Sequence, residues 1–133
     1  MVKEEFLIEI KKDFSKNITN MKILGILLFG SHATAQNSNK SDIDICIVAP
    51  EVDPFDLYSS ISEKVDVITK KYDIRFFNAL PLYIQIHIIE DGIVIYSPDE
   101  LDLYEYFYYF RKLWADQKHR QELTREELLK LLE

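Results

Sequence analysis

Residues 21–49 carry two short apolar runs, MKILGILLF and IDICIVA, joined by a polar stretch that opens with Gly30-Ser31 and closes with Ser41-Asp42. Apolar runs of this length bounded by turn residues fit buried strands, and two in succession dictate a sheet around which the remainder must pack. If both are strands, the Gly-Ser turn and the pair Asp42 and Asp44 meet at one end of that sheet. Two positions apart on a strand, the aspartates project from the same face. Carboxylates held so close repel each other unless a cation lies between them, and a hard divalent ion such as Mg²⁺ suits an all-oxygen set. Gly30 permits a close backbone approach. The amides and hydroxyl around Ser31, at what reads as the start of a short helix, offer donors to a phosphate. The stretch therefore reads as metal plus phosphate. The bland alternative is a Ser/Asn-rich surface loop followed by a strand with two exposed acids.

The same stretch resembles the nucleotidyltransferase signature of the DNA polymerase β superfamily in its minimal (MNT) form, G-S-x-A-R-G-x5-S-D-x-D. Gly30, Ser31, Ala33, Ser41, Asp42 and Asp44 fall in register with it, with ten residues between Ser31 and Asp42. Thr34 and Ala35 stand where the Arg and Gly usually are, so any role of that arginine is absent from this loop. The resemblance implies a nucleotidyltransferase fold, a third carboxylate on a later strand, two Mg²⁺ ions and ATP as substrate.

Composition bounds the alternatives. A chain of 133 residues is expected to be a single domain, 1–133, and 47% hydrophobic residues are enough to build a core. The net charge of −7 argues against a long nucleic acid as main partner, because such binding neutralises phosphates with clustered Lys and Arg. The lone cysteine, Cys46, cannot form an internal disulfide and reads as a small core hydrophobe rather than a catalytic thiol. A reduced, cytoplasmic setting is the default. No signal-peptide pattern opens the chain, and no apolar run approaches the roughly 20 residues of a membrane span.

Along the chain, Phe6, Leu7, Ile10 and Phe14 recur at helical spacing over residues 3–16. Asp53 and Pro54 announce a second helix, which the spacing of Phe55, Leu57, Ile61, Val65 and Ile68 extends to Lys71. YDIRFF then alternates Asp73, Arg75 and Phe77 against Tyr72, Ile74 and Phe76, as a strand with one face toward the site would. Asp73 is the residue that matches the third carboxylate of the resemblance. Asp66 in VDVI is its rival, and a surface acid paired with Arg75 or Lys71 is the plain reading of Asp73. The run LPLYIQIHIIEDG alternates like a strand, yet Pro81 and the resemblance favour a helix, followed by a short strand IVIY. His32 and Lys40 could each reach a phosphate, but a solvent-facing imidazole explains His32 at least as well, and a solvated loop lysine is the better reading of Lys40. His87 reads as a packed or surface histidine.

From Pro98 onward no Gly or Pro interrupts the chain, which allows one long helix or two. Tyr104, Tyr106, Phe107, Tyr108, Tyr109 and Phe110 encircle it, more aromatic surface than one sheet face can cover. A partner protein or a homo-oligomer could use the surplus, and a wide core stripe with wet tyrosine tips is the alternative. The expected fold is thus α/β, a mixed sheet of about four to five strands, with helices mainly on one face and a long C-terminal helical segment.

For function, the site residues expected are Asp42, Asp44 and Asp73 as metal ligands and catalytic groups, with Gly30 and Ser31 on the nucleotide's phosphates. Nothing in those residues identifies the acceptor. The resemblance implies a protein adenylyltransferase antitoxin that transfers AMP to a tyrosine of a HEPN-domain RNase toxin. A small-molecule nucleotidyltransferase, a non-catalytic antitoxin that covers its toxin and a bare nucleotide-binding module remain as alternatives.

Overall fold

The computed structural model describes residues 3–15, 22–33 and 42–132. Thr34, Ala35, Lys40 and Ser41, with the loop expected around them, lie outside the described residues. Four strands, β1 (Gly25–Phe29), β2 (Ile43–Val48), β3 (Tyr72–Phe76) and β4 (Ile93–Tyr96), form one sheet in the order β3-β2-β1-β4. β1 runs antiparallel to both β2 and β4, whereas β2 and β3 are parallel, so the sheet is mixed. The four long helices are α1 (Glu4–Ser15), α2 (Pro54–Lys64), α3 (Leu82–Asp91) and α4 (Glu100–Leu132). Short 3-10 turns, Gly30–His32 and Phe77–Ala79, follow β1 and β3.

Strand alternation sorts the core into two layers. Ile26, Leu28, Ile45, Ile47, Tyr72 and Ile74 face α1 and α2, packing on Ile10, Phe14, Leu57 and Ile61. Leu27, Cys46 and Val48 face the other way, onto Ile86, Ile88 and Ile89 of α3 and Leu103 and Phe107 of α4. Helices expected mainly on one face are therefore divided, two to each. The reason lies in β1 and β2, which are apolar at successive positions and so must be covered on both sides. Removing a large side chain such as Ile26 or Leu28 from water contributes about 1.5–3 kcal/mol, enough to make the two central strands the anchor of the fold. Gly25 lets α4 come close, since a Cβ there would stand 2.9 Å from Leu103 Cδ2.

The second helix is shorter than its spacing predicts. It ends at Lys64, with Val65 already extended at φ −112 and ψ 131. Val65 and Val67 turn back into the core, while Ile68, counted as part of the helical stripe, is 90% exposed. Asp66 stabilises this exit by accepting the Thr69 N–H at 3.1 Å, a local bond that competes with helix. The ambiguous run from Leu82 is a helix, and IVIY is the fourth strand. The C-terminal segment is one helix of 33 residues, about 50 Å at 1.5 Å per residue. Leu103 and Phe107 are buried on its inner side, and Tyr106, Phe110 and Trp114 continue the stripe half-buried. Tyr104, Tyr108 and Tyr109 are exposed. The aromatic belt is thus a core stripe on one side and a row of exposed rings on the other.

Candidate active site

β1 ends at Phe29, which pairs across the ladder with Asp44 of β2. The chain then turns at Gly30, whose φ of +74 lies in the left-handed region that glycine enters without penalty. A side chain there would collide with the Asp44 carboxylate. Gly30 is therefore required twice over, for its backbone conformation and for the room it leaves the aspartate. Ser31 follows in the 3-10 turn, one residue beyond the glycine that touches Asp44. The Gly-Ser turn and the acidic strand do meet at one end of the sheet.

Asp73 reaches the same place from the other side. β3 lies parallel to β2, and its register sets Asp73 directly beside Asp44. Both belong to the sheet face that carries Cys46 and Arg75 one step further along. The two carboxyl groups are within hydrogen-bonding reach, and the Asp44 carboxyl is held above the usual carboxylate range. Partial burial is the largest cause, followed by the charge of Asp73, the hydrogen bond to Asp73 and the charge of Asp42, with Arg75 opposing them. Arg75 pairs with Asp73 through two contacts, Nε to Oδ1 at 3.2 Å and Nη2 to Oδ2 at 3.3 Å. Asp73 thus has Arg75 as its ion-pair partner and Asp44 as its neighbour across the strand pair.

Asp42 precedes β2 and is exposed; it joins this group through its charge. Among the described residues, no three acidic, imidazole or thiol side chains are already gathered around one ion-sized space. Asp44 and Asp73 are the preassembled pair. Asp66 stands apart, in the turn after α2 and tied to Thr69. His32 stacks on Phe6 with ring centroids 5.4 Å apart, and His87 pairs with Asp91 at 3.1 Å on the surface of α3. Cys46 is fully buried and its thiol is pushed up to about 12, so it stays a neutral core group. Sequence reasoning set Arg75 on the correct strand face and treated it as background. Its spacing from Asp73, two residues on the same face, was the available signal.

A partly buried carboxylate held above its usual range beside a second carboxylate, as Asp44 is beside Asp73, is a donor set that a hard divalent cation relieves. Mg²⁺ is commonly held by one or two carboxylates together with substrate phosphates, which these residues fit. Together with the glycine turn against Asp44, the arrangement suits phosphoryl-transfer chemistry, in which acidic strands adjoin a loop of backbone donors. Residues 9–101 match the family model described as "Polymerase beta, Nucleotidyltransferase". A Methanocaldococcus jannaschii protein provisionally named a protein adenylyltransferase is 43% identical over 99 residues, 74% of this chain and 75% of that protein. The chain belongs to the polymerase β-type nucleotidyltransferase family.

Solved structures share the fold. A chain of a toxin-antitoxin complex crystallised with AMP-PNP superimposes with a TM-score of 0.67 at 18% identity, covering 92% of this chain and 98% of that one. One from the MntA-HepT toxin-antitoxin structure gives 0.63 at 15% identity, covering 96% and 99%. A third comes from a complex of tri-AMPylated Shewanella oneidensis HEPN toxin with MNT antitoxin, with a TM-score of 0.62 at 15% identity, covering 92% and 95%. Among the described residues, no helix is long and apolar enough to cross a membrane.

Proposed function

We propose that this nucleotidyltransferase is a Mg²⁺-dependent protein adenylyltransferase that moves AMP from ATP to a tyrosine hydroxyl of a HEPN-type RNase toxin, acting as its antitoxin. The observation that carries the reading is the juxtaposition of Asp44 and Asp73 beside the Gly30 turn. The name of the M. jannaschii relative and the toxin-antitoxin complexes that share the fold support the choice of acceptor.

In this mechanism Asp44 and Asp73 would hold the metal, with Asp42 as a further carboxylate from the start of β2, and Mg²⁺ there would offset phosphate charge and lower the pKa of the attacking hydroxyl. Ser31 and the amides of its turn orient the β- and γ-phosphates, so that the α-phosphate faces the acceptor. The acceptor oxygen forms a bond to the α-phosphorus as the bond to pyrophosphate breaks, and the hydroxyl proton passes to Asp73 or to solvent that Asp73 positions. The exposed Tyr104, Tyr108 and Tyr109 of α4 offer an aromatic surface for the protein that brings the acceptor.

The test uses ATP labelled at the α- or the γ-phosphate, Mg²⁺, this protein and a HEPN protein encoded beside it. The α-label is expected on a tyrosine of the HEPN protein, the γ-label is not, and RNase activity should fall as label accumulates. Silencing of the RNase by a stable complex without transfer of label would contradict the catalytic reading and favour simple covering. Label appearing on an added aminoglycoside instead would redirect the reading to a small-molecule acceptor.

A further inference from the structure

Asp73 has two neighbours that make opposite demands on it. Asp44 stands beside it in register and repels it. Arg75, two residues on and on the same face, engages both of its oxygens, at 3.2 and 3.3 Å. A guanidinium set as a fork on a carboxylate occupies both oxygens at once, so it leaves little for another cation. The pair is also partly open, with side-chain exposures of 57% for Arg75 and 36% for Asp73. An ion pair in that setting is weak enough to be displaced.

We propose that Arg75 is the resident counter-cation of Asp73, which an incoming divalent ion must displace, so that Arg75 sets the metal concentration at which the site fills. The proposal rests on the assignment of Asp44 and Asp73 as metal ligands made above. Without the ion, Arg75 neutralises one of two apposed carboxylates and keeps the β2–β3 pair at its register. When a divalent ion binds, the Asp73 oxygens turn to it and the guanidinium is released on the same face, one strand position pair from the site, where a phosphate or an acidic group of the acceptor protein can take it up. Arg75 is a positioning residue in this scheme, acting through Asp73.

Direct Mn²⁺ binding, followed by the electron paramagnetic resonance of the free ion, provides a readout independent of transfer. Arg75→Gln should lower the Mn²⁺ concentration for half-occupancy by about two- to fivefold, the range expected on removing a competing exposed ion pair. Arg75→Lys keeps the charge without the fork and should fall between the two. In an Asp73→Asn background, Arg75→Gln should lose most of its effect, since the competition runs through that carboxylate. Melting and circular dichroism of each variant establish that the fold is kept. Unchanged or weakened Mn²⁺ binding in folded Arg75→Gln would overturn the proposal while leaving the metal site in place. No Mn²⁺ binding by the unmodified protein, alone or with a non-hydrolysable ATP analogue, would remove the metal assignment itself, and this proposal with it.

Discussion

At the scale of single residues, Asp44 carries the largest consequence. Its carboxyl is held above the usual range by burial and by Asp73, so the folded protein binds that proton more tightly than the unfolded chain does. Ionising Asp44 therefore works against the metal-free fold; the penalty is absent below the ordinary carboxylate range and grows as pH rises through the raised value. Asp44→Asn should raise the metal-free Tm near neutral pH by about 1–4 °C, with the gap closing toward about pH 4. The same variant should abolish Mg²⁺-dependent transfer, and added Mg²⁺ should no longer raise its Tm. Asp73→Asn should slow transfer by about 100-fold or more, and Asp66→Asn, in its own turn after α2, should leave transfer within about twofold. Steady-state kinetics with labelled ATP separates the two, and inactivity of the Asp66 variant would contradict the assignment of Asp73. The pair Asp42 and Asp44 was legible from spacing, because alternation on a strand is a local rule. That Asp44 and Asp73 would touch was not, since it depends on the parallel register of two strands whose paired residues, 44 and 73, lie 29 positions apart in the chain.

At the scale of elements, the start of β3 is fixed from a distance. β3 is an edge strand, held by β2 on one side, and Tyr72 at its first position is gripped by α1. The Tyr72 hydroxyl donates to Asp13, Lys70 donates to the same carboxylate at 2.8 Å, and Phe14 meets the Tyr72 ring edge-on at 5.1 Å. Burial and then the bond to Asp13 raise the Tyr72 phenol, which stays protonated and serves as a donor. Asp13→Ala should cost about 1–3 kcal/mol, the penalty for stranding a part-buried hydroxyl, measurable by urea denaturation. Because Tyr72 adjoins Asp73, the variant should also weaken transfer beyond what its melting predicts. No signal in the sequence links Asp13 to Tyr72, which are 59 residues apart. The early end of α2 was hidden for a related reason: Val65 and Ile68 kept helical spacing, but Val65 goes to the core in extended form and Ile68 goes to water. The α3 helix was decided by Pro81 and by resemblance against an alternation of isoleucines that fits a strand equally well. Tertiary burial on both α3 faces, Ile86 and Ile89 with Ile88, explains that misleading pattern.

At the scale of the whole molecule, the sheet joins one end that holds the Gly30 turn, Asp44 and Asp73 to two layers of helices that hold it rigid. α4 ties the layers to the site indirectly, because Phe77, just past β3, sits among Tyr106, Phe107 and Phe110, and the Tyr106 hydroxyl donates to Asn78 at 2.7 Å. Leu103→Ala, which empties a fully buried position between α4 and β1, should cost about 2–5 kcal/mol in urea denaturation. Tyr108→Ala on the exposed side should leave stability within about 0.5 kcal/mol, with any effect appearing in transfer to the partner protein. Such a division between the two sides of one helix was open in the sequence, where six rings in seven positions show no preferred face. If Asp44 and Asp73 hold the metal of a nucleotide seated at the Gly30-Ser31 turn, crystals grown with Mn²⁺ and a non-hydrolysable ATP analogue, measured at the manganese edge, should show an anomalous peak bonded to oxygens of Asp44 and Asp73, with the triphosphate against Ser31. A nucleotide bound at another end of the sheet, or manganese away from both carboxylates, would contradict that assignment.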